Sequence, residues 1–193
     1  MTGAIAERTV IASAIPFAGT DYTVRTLIAP NARGAILFLA LANTVVFDFV
    51  TRTKLGGNHF AEFIFQQLPV PLLHSYSELD IRLLESRTVE LVYTSESMAL
   101  LAKDVGYAGP PFPWNEVRRA TLRAELDAWH ARAYGLTRDE LRYILDPADV
   151  MGEDYPSETF RVLKNNEMKK FGEYRTRRLV LEAWDRMEAG DLK

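Results

Sequence analysis

The sequence predicts an α+β fold dominated by helix, in which a small sheet with a buried helix precedes a helical module. Three observations support this. Short runs rich in β-branched residues end at prolines in the first third of the chain. One long apolar run, AILFLALANTVVFDFV, lies among them. After Ser75, apolar residues recur at helical spacing. We therefore divide the chain into residues 1–72 and 73–193.

The first unit is predicted to contain three strands around one helix. The segment RTVIASAIP, residues 8–16, is β-branched and ends at a proline, and residues 22–28 alternate loosely. The apolar run predicts a buried helix over residues 34–52, since a helix that is apolar on all sides belongs in a core. A third strand is expected at residues 61–67, closed by the prolines that follow it.

The second unit is predicted from helical spacing and capping residues. Ser95 or Ser97 is placed to cap a helix, and Asn115 to cap another. The apolar faces comprise Ile81, Leu84, Thr88 and Leu91, then Met98 and Leu101, then Leu122, Leu126, Trp129 and Ala133.

One helix junction is predicted in more detail than the others. Gly135 stands where a helix end favours a left-handed residue. Thr137 and Glu140 form the pattern of a capping box that opens the next helix. Asp146-Pro147 ends that helix. A surface loop over residues 147–157 and a last helix over residues 172–188 complete the prediction.

Composition limits the classes of protein that fit. Hydrophobic residues make up 48% and charged residues 25%, as in globular proteins, and there is no cysteine to form a disulfide or a thiolate metal site. The net charge of −3 argues against coating of nucleic acid by bulk charge. Residues 35–50 are too short to span a bilayer. We therefore expect no membrane association and a cytoplasmic location.

The motifs of common cofactor sites are absent. There is no Gly-x-Gly after a strand, no P-loop and no Asn-Pro-Pro-aromatic tetrapeptide, and the three histidines share no metal-ligand spacing. We expect no catalytic residue, no metal and no cofactor in this chain.

Two segments carry side chains that suit DNA. The loop TRTKLGGNHF, residues 51–60, offers Arg52 and Lys54 for phosphates, and Asn58 and His59 for base edges. Gln66 lies near the same loop. The alternative interpretation is an ordinary surface loop whose glycines serve a tight turn.

The second segment is KKFGEYRTRR, residues 169–178. As the start of a helix it would bind phosphates, each contact adding to a salt-dependent affinity, and as a solvated helix face it would bind nothing specific. Its candidate DNA-binding residues are Lys169, Lys170, Arg175, Arg177 and Arg178.

Long phrases of the sequence resemble adenine-N6 DNA methylases of the type IIG restriction–modification kind. FDFVTRTKLGGNHFAEFIFQQLPVP, residues 47–71, is similar to part of their target-recognition region, which lies downstream of the methyltransferase domain. Residues 109–146 are similar to the C-terminal helices of that family, and residues 171–187 to the last helix. Together with RTVIASAIP, the likeness covers most of the chain in the family's order.

The resemblance implies DNA target recognition without catalysis by this chain. Residues 1–72 would be a partial target-recognition subdomain, since the family's recognition region begins upstream. S-adenosylmethionine is expected only on a catalytic partner, a methyltransferase chain that acts on the same double-stranded DNA. The chain would be a subunit of a split enzyme, a truncation or a remnant.

Two alternatives remain open. In the first, the helical unit of residues 73–193, with its acidic surface, would serve as a docking module that binds a methylase or helicase and never contacts DNA. An independent enzyme is the other alternative.

Overall fold

The structure, a computed structural model, describes residues 6–21, 24–55, 60–156 and 159–192. These residues form α-helices and two short 3-10 turns, Leu73–Ser75 and Glu96–Met98, and contain no β-strand. The helices are α1 Ala32–Ala42, α2 Val45–Lys54, α3 Glu62–Phe65, α4 Glu78–Val92, α5 Ala99–Asp104, α6 Glu116–Ala133, α7 Arg138–Leu145, α8 Ala148–Met151, α9 Arg161–Phe171 and α10 Arg175–Glu188. The described part of the chain is all-α, so the predicted α+β class with a small sheet is wrong.

The predicted strand over residues 8–16 is not formed, and side chains from elsewhere bind part of its backbone. The backbone N–H groups of Thr9 and Val10 donate to Asp48 Oδ1 at 2.7 and 2.6 Å. The N–H and C=O of Ala12 both bond to the Asn43 side chain at 3.0 Å. The side chains of Asp48 and Asn43 therefore bond to backbone groups that a sheet would have paired.

The other predicted strands are also absent from the described residues. Residues 24–28 form no strand, and Val24 N–H donates to Asp21 O at 2.9 Å. Residues 62–65, within the third predicted strand, are α3. Ile64 and Leu68 are buried while Gln66 between them is exposed, which departs from the two-residue period of a strand.

The predicted buried helix is two helices broken at Asn43 and Thr44. Thr44 caps α2, since its Oγ1 accepts the N–H of Phe47 at 3.3 Å, and it also donates to Leu41 O at 2.8 Å. No single helix in the described ranges is long and apolar enough to cross a membrane. α1 and α2 together have the length and apolar composition of a membrane-spanning helix, but a 71° bend separates them.

The core is built mainly where α6 packs against α10 and where α1 packs against α4. Residues from both sides of the predicted boundary at residue 72 share these clusters. Val45 of α2 packs with Leu141 of α7 and Val180 of α10. Leu37 of α1 packs with Leu84 of α4.

The predicted caps of the second half are confirmed. Asn115 accepts the Arg118 N–H at 3.0 Å at the start of α6, and Thr137 with Glu140 forms a complete capping box on α7. Gly135 has a φ of 74°, in the left-handed region. The predicted last helix over residues 172–188 is confirmed as α10, which begins three residues later, at Arg175, because Gly172, with a φ of 73°, ends the unpredicted α9. The predicted loop over residues 147–157 is wrong in part, since it contains the short helix α8.

Candidate nucleic-acid interface

The start of the loop after α2 is held to the helical body by Arg52. Its Nε donates to Asp48 Oδ2 at 2.8 Å, and its other nitrogens donate to the carbonyl oxygens of Ala6, Glu7 and Thr159. The guanidinium also lies over the Phe160 ring, 4.8 Å from its centroid. The Arg52 side chain is only 8% exposed. Its observed contacts are therefore internal, and contact with a DNA phosphate stays a prediction.

The end of the loop is held by aromatic packing. Phe60 packs edge to face on Phe65, with ring centroids 6.0 Å apart. Phe65 packs in the same way on Phe38 of α1, at 5.9 Å. The start of the loop is thus held through Arg52 to residues 6–7 and 159–160, and its end is held through Phe65 to α1. Asn58 and His59 lie outside the described residues, so their predicted base contacts stay predictions.

Two predicted residues at the edge of this loop face solvent. Lys54, the last residue of α2, is exposed, and its ammonium has no acidic partner within 4 Å in the described ranges. Gln66 is also exposed and makes one long bond, 3.4 Å, to Glu62 Oε1. Both side chains are available to a ligand.

The basic segment over residues 169–178 is largely paired with carboxylates. Lys170 Nζ lies 2.7 Å from Glu116 Oε1, and Arg175 lies 4.0 Å from the same oxygen. Lys169 is exposed and forms no such pair with any described residue. The positive charges of Lys170 and Arg175 are therefore partly neutralised by Glu116, which the sequence alone did not predict.

The remaining two arginines of this segment are paired as well. Arg177 lies 3.0 Å from Asp149 Oδ1 and 3.7 Å from Asp146 Oδ2. Arg178 bonds to Glu173 at 2.9 Å and to Glu182 at 3.0 Å. A pocket of about 380 Å³ beside them holds three cations and three carboxylates, so it offers no net attraction to a phosphate: Arg138, Arg177, Arg178, Glu173, Glu182 and Asp185.

Buried polar side chains of α6 lie at the start of α2. Asp127 of α6 is 2% exposed, and its Oδ1 accepts the N–H of Val45, the first residue of α2, at 2.7 Å. Burial raises the pKa of Asp127 to about 6, an effect that the Arg8 charge and the Val45 hydrogen bond limit. Burial likewise lowers the pKa of His130, one turn along α6, to about 4. The Nδ1 of His130 lies 2.8 Å from Leu126 O.

Sequence reasoning missed Arg8 and Arg123, which lie with Arg175 along one side of α6. Arg8 Nη2 is 3.7 Å from Asp127 Oδ2, and its guanidinium lies over the same Phe160 ring as that of Arg52. Arg123 stands between Asp127 and Glu116 on α6. No motif marks Arg8, and the spacing of Arg123 from Asp127, four residues on a helix, is the only signal in the sequence.

The described residues contain no group of three or more His, Asp or Glu side chains placed to hold a metal ion.

Comparison with known proteins gives no match. No family model, no curated protein and no solved structure is similar to this chain at a significant level.

Proposed function

We propose that this chain recognises a DNA target for an adenine-N6 methyltransferase and does not itself catalyse methyl transfer. The single observation that carries the proposal is the loop of residues 55–60, whose two ends are fixed by Arg52 and by Phe60 while Lys54 and Gln66 at its edge are exposed. A contact loop set on rigid helices presents its side chains to a ligand at little entropic cost.

The chemistry of the loop fits a division of roles. Lys54 supplies a free ammonium for a backbone phosphate, a contact that adds affinity without reading sequence. Asn58, His59 and Gln66 supply amide and imidazole groups of the kind that pair with base edges in the major groove. Arg52 holds the start of the loop in place. S-adenosylmethionine would bind to a separate catalytic chain, and the complex would act in the cytoplasm.

The test is DNA binding by the full chain, measured by fluorescence anisotropy over a range of salt concentrations. Lys54→Ala should weaken binding to every duplex alike and lower the slope of log affinity against log salt by about one unit. The matched control is Lys103→Ala, which removes an exposed lysine from α5. If both variants bind DNA with the parent's salt dependence, the loop does not contact a phosphate through Lys54.

A second candidate function is docking to a methylase or helicase without DNA contact. It is favoured by exposed apolar side chains on the segment before α1: Ile11, Ile15, Phe17, Val24, Leu27 and Ile28. Docking predicts that a purified methyltransferase chain co-elutes with this chain and that Phe17→Ser with Ile28→Ser abolishes co-elution. It also predicts that Lys54→Ala changes nothing, which separates it from DNA recognition.

A further inference from the structure

Three arginines from separate parts of the chain lie along one face of α6. Arg8 comes from the N-terminal extended segment and reaches Asp127, with Nη2 and Oδ2 3.7 Å apart. Arg175 begins α10 and reaches Glu116, the first residue of α6, at 4.0 Å. Arg123 lies one turn before Asp127 and two turns after Glu116, so all three α6 residues share a face.

The charges in this cluster do not balance. Glu116 is shared between Arg175 and Lys170. Asp127 has one oxygen occupied by the Val45 N–H, and burial raises its pKa to about 6. Four cations thus lie around Glu116 and Asp127, and Glu173 adds a longer-range negative charge beside Arg175.

Arg123 itself has no carboxylate within 4 Å in the described part of the chain, and its position is exposed. Burial and then the positive charge of Arg8 lower the pKa of Arg123, and Arg175 lowers it further, while the charges of Asp127 and Glu116 act in the opposite direction. The guanidinium groups of the cluster thus repel one another, and an anion between them would remove that repulsion.

Two donors in the cluster have no acceptor. Arg8 Nη1 and Arg175 Nε are both buried, and neither has a hydrogen-bond partner within the ranges that the structure describes. Buried donors of this kind are rare in folded proteins and indicate a missing ligand or solvent molecule.

Aromatic rings hold two of the three guanidinium groups in place. Arg175 stacks on Phe171 with 3.8 Å between its guanidinium carbon and the ring centroid, and Arg8 lies 5.6 Å from the centroid of Phe160. Such planar groups, fixed before a ligand arrives, suit the bidentate binding of phosphate oxygens.

We propose that Arg8, Arg123 and Arg175 form a binding site for one phosphate group. If the proposed function is right, this group is a phosphodiester of the DNA backbone. The inference rests on the proposed function only for this identification of the phosphate. Three separate guanidinium groups match the several oxygens of a phosphate better than the two oxygens of a carboxylate. Arg8 shares the Phe160 ring with Arg52, so the site adjoins the start of the recognition loop.

Arg123→Gln is the most informative variant, because the Arg123 side chain is exposed and unpaired and its loss should leave the fold intact. The matched control is Arg82→Gln, which removes an exposed arginine from α4. In anisotropy titrations of duplex DNA, Arg123→Gln should weaken binding about fivefold and lower the salt slope by about one unit, whereas Arg82→Gln should match the parent. Arg123→Lys should restore part of the affinity.

A second measurement tests the site without DNA. Inorganic phosphate should raise the melting temperature of the parent and of Arg82→Gln above its value in chloride at equal ionic strength, because a ligand stabilises the folded state that it binds. Arg123→Gln should lose this increase.

The two measurements separate failure of the site from failure of the proposed function. If the parent binds DNA and Arg123→Gln has the affinity and salt slope of Arg82→Gln, the phosphate site is overturned and DNA recognition stands. If the parent binds no DNA yet phosphate stabilises it only when Arg123 is present, the site stands with free phosphate as its source, and DNA recognition is overturned. If neither DNA nor phosphate responds to Arg123, the site is overturned.

Discussion

At the scale of single residues, Arg52 and Lys54 show how two cations in one phrase take different roles. Both looked equivalent in sequence as phosphate contacts. Arg52 lies on the inner side of α2, where Asp48 and three backbone carbonyls accept its N–H groups, while Lys54 ends the helix in solvent. The sequence shows that Arg52 is charged, but it does not show which groups the guanidinium contacts. Those groups belong to residues 6–7, 48 and 159–160. For this reason the role of Arg52 could not be predicted locally.

Arg52→Ala should destabilise the protein, because Asp48 would keep a buried carboxylate with one partner fewer. We expect the free energy of unfolding to fall by about 3 kcal/mol. Lys54→Ala, at an exposed position two residues on, should change it by less than about 0.5 kcal/mol. Urea unfolding followed by circular dichroism measures both. Equal stability of the two variants would contradict the internal role assigned to Arg52.

Asp127 and His130 should give opposite pH dependences. The folded state raises the pKa of Asp127 from 3.8 to about 6, so the stability it contributes is present at low pH and lost as the pH rises toward 6. The folded state lowers the pKa of His130 from 6.5 to about 4, so its contribution is present above pH 6.5 and lost as the pH falls toward 4. The two effects largely cancel in the parent.

Substitution of either residue should expose the effect of the other. Between pH 4 and 6.5, the free energy of unfolding of Asp127→Asn should rise with pH by about 2–3 kcal/mol, because only the effect of His130 is left. Over the same range, that of His130→Gln should fall by about 2–3 kcal/mol, because only the effect of Asp127 is left. The parent should change much less than either variant. Urea titrations at several pH values measure these slopes, which do not depend on any constant loss of stability in the variants. Parallel pH profiles for all three proteins would refute the assignment.

At the scale of elements, the sequence predicts what is determined locally. The junction of α6 and α7 depends on neighbours in sequence: Gly135 takes the left-handed conformation, and Thr137 and Glu140 bond to each other's backbone. The strand over residues 8–16 was mispredicted because its backbone groups find their partners in Asp48 of α2 and in Asn43, at the break between α1 and α2, rather than in another strand.

The unpredicted helix α9 has a related cause. One of its two buried residues is Glu167, which interrupts the apolar pattern by which buried helix faces are found. Glu167 accepts the backbone N–H and the hydroxyl of Thr176, both at 2.7 Å, and so caps the start of α10. The sequence alone predicts that the Glu167 carboxylate faces solvent. It is buried in the structure, where it accepts hydrogen bonds from the first turn of α10.

The α6–α7 junction gives a direct test at this scale. Gly135→Ala should cost about 1 kcal/mol, because a Cβ is disfavoured at a φ of 74°. Thr137→Ala should cost about 1 kcal/mol through loss of the cap. Gly19→Ala, at an exposed glycine without positive φ, is the matched control and should melt with the parent. If all three variants melt together, the junction does not stabilise the fold as described.

At the scale of the whole molecule, the sequence overestimated both the sheet and the free positive charge. The candidate site depends on how the chain brings residues 8, 52, 123 and 175 around the Phe160 ring and α6. Local patterns identified Arg52 and Arg175 as cations, gave no indication of Arg8, and offered for Arg123 only its spacing from Asp127. The two loop residues expected to read bases, Asn58 and His59, lie outside the described residues, so the sequence remains the basis for their proposed role.

The absence of catalysis is tested on the purified chain. We expect no binding of S-adenosylmethionine by isothermal titration calorimetry and no methylation of duplex DNA, because no cofactor-binding motif is present in the sequence. Micromolar affinity for the cofactor would contradict the proposal that a separate chain performs methyl transfer.

The most direct test of the central claim is selection of bound duplexes from a randomised DNA pool by the full chain, compared with Asn58→Ala. If the chain recognises a DNA target, a common sequence should be enriched by the parent, and Asn58→Ala should lose discrimination at one base pair, on the order of 1–3 kcal/mol for a bidentate contact. A pool that stays random after selection with the parent, or one that both proteins enrich identically at every position, would contradict recognition of DNA by this loop.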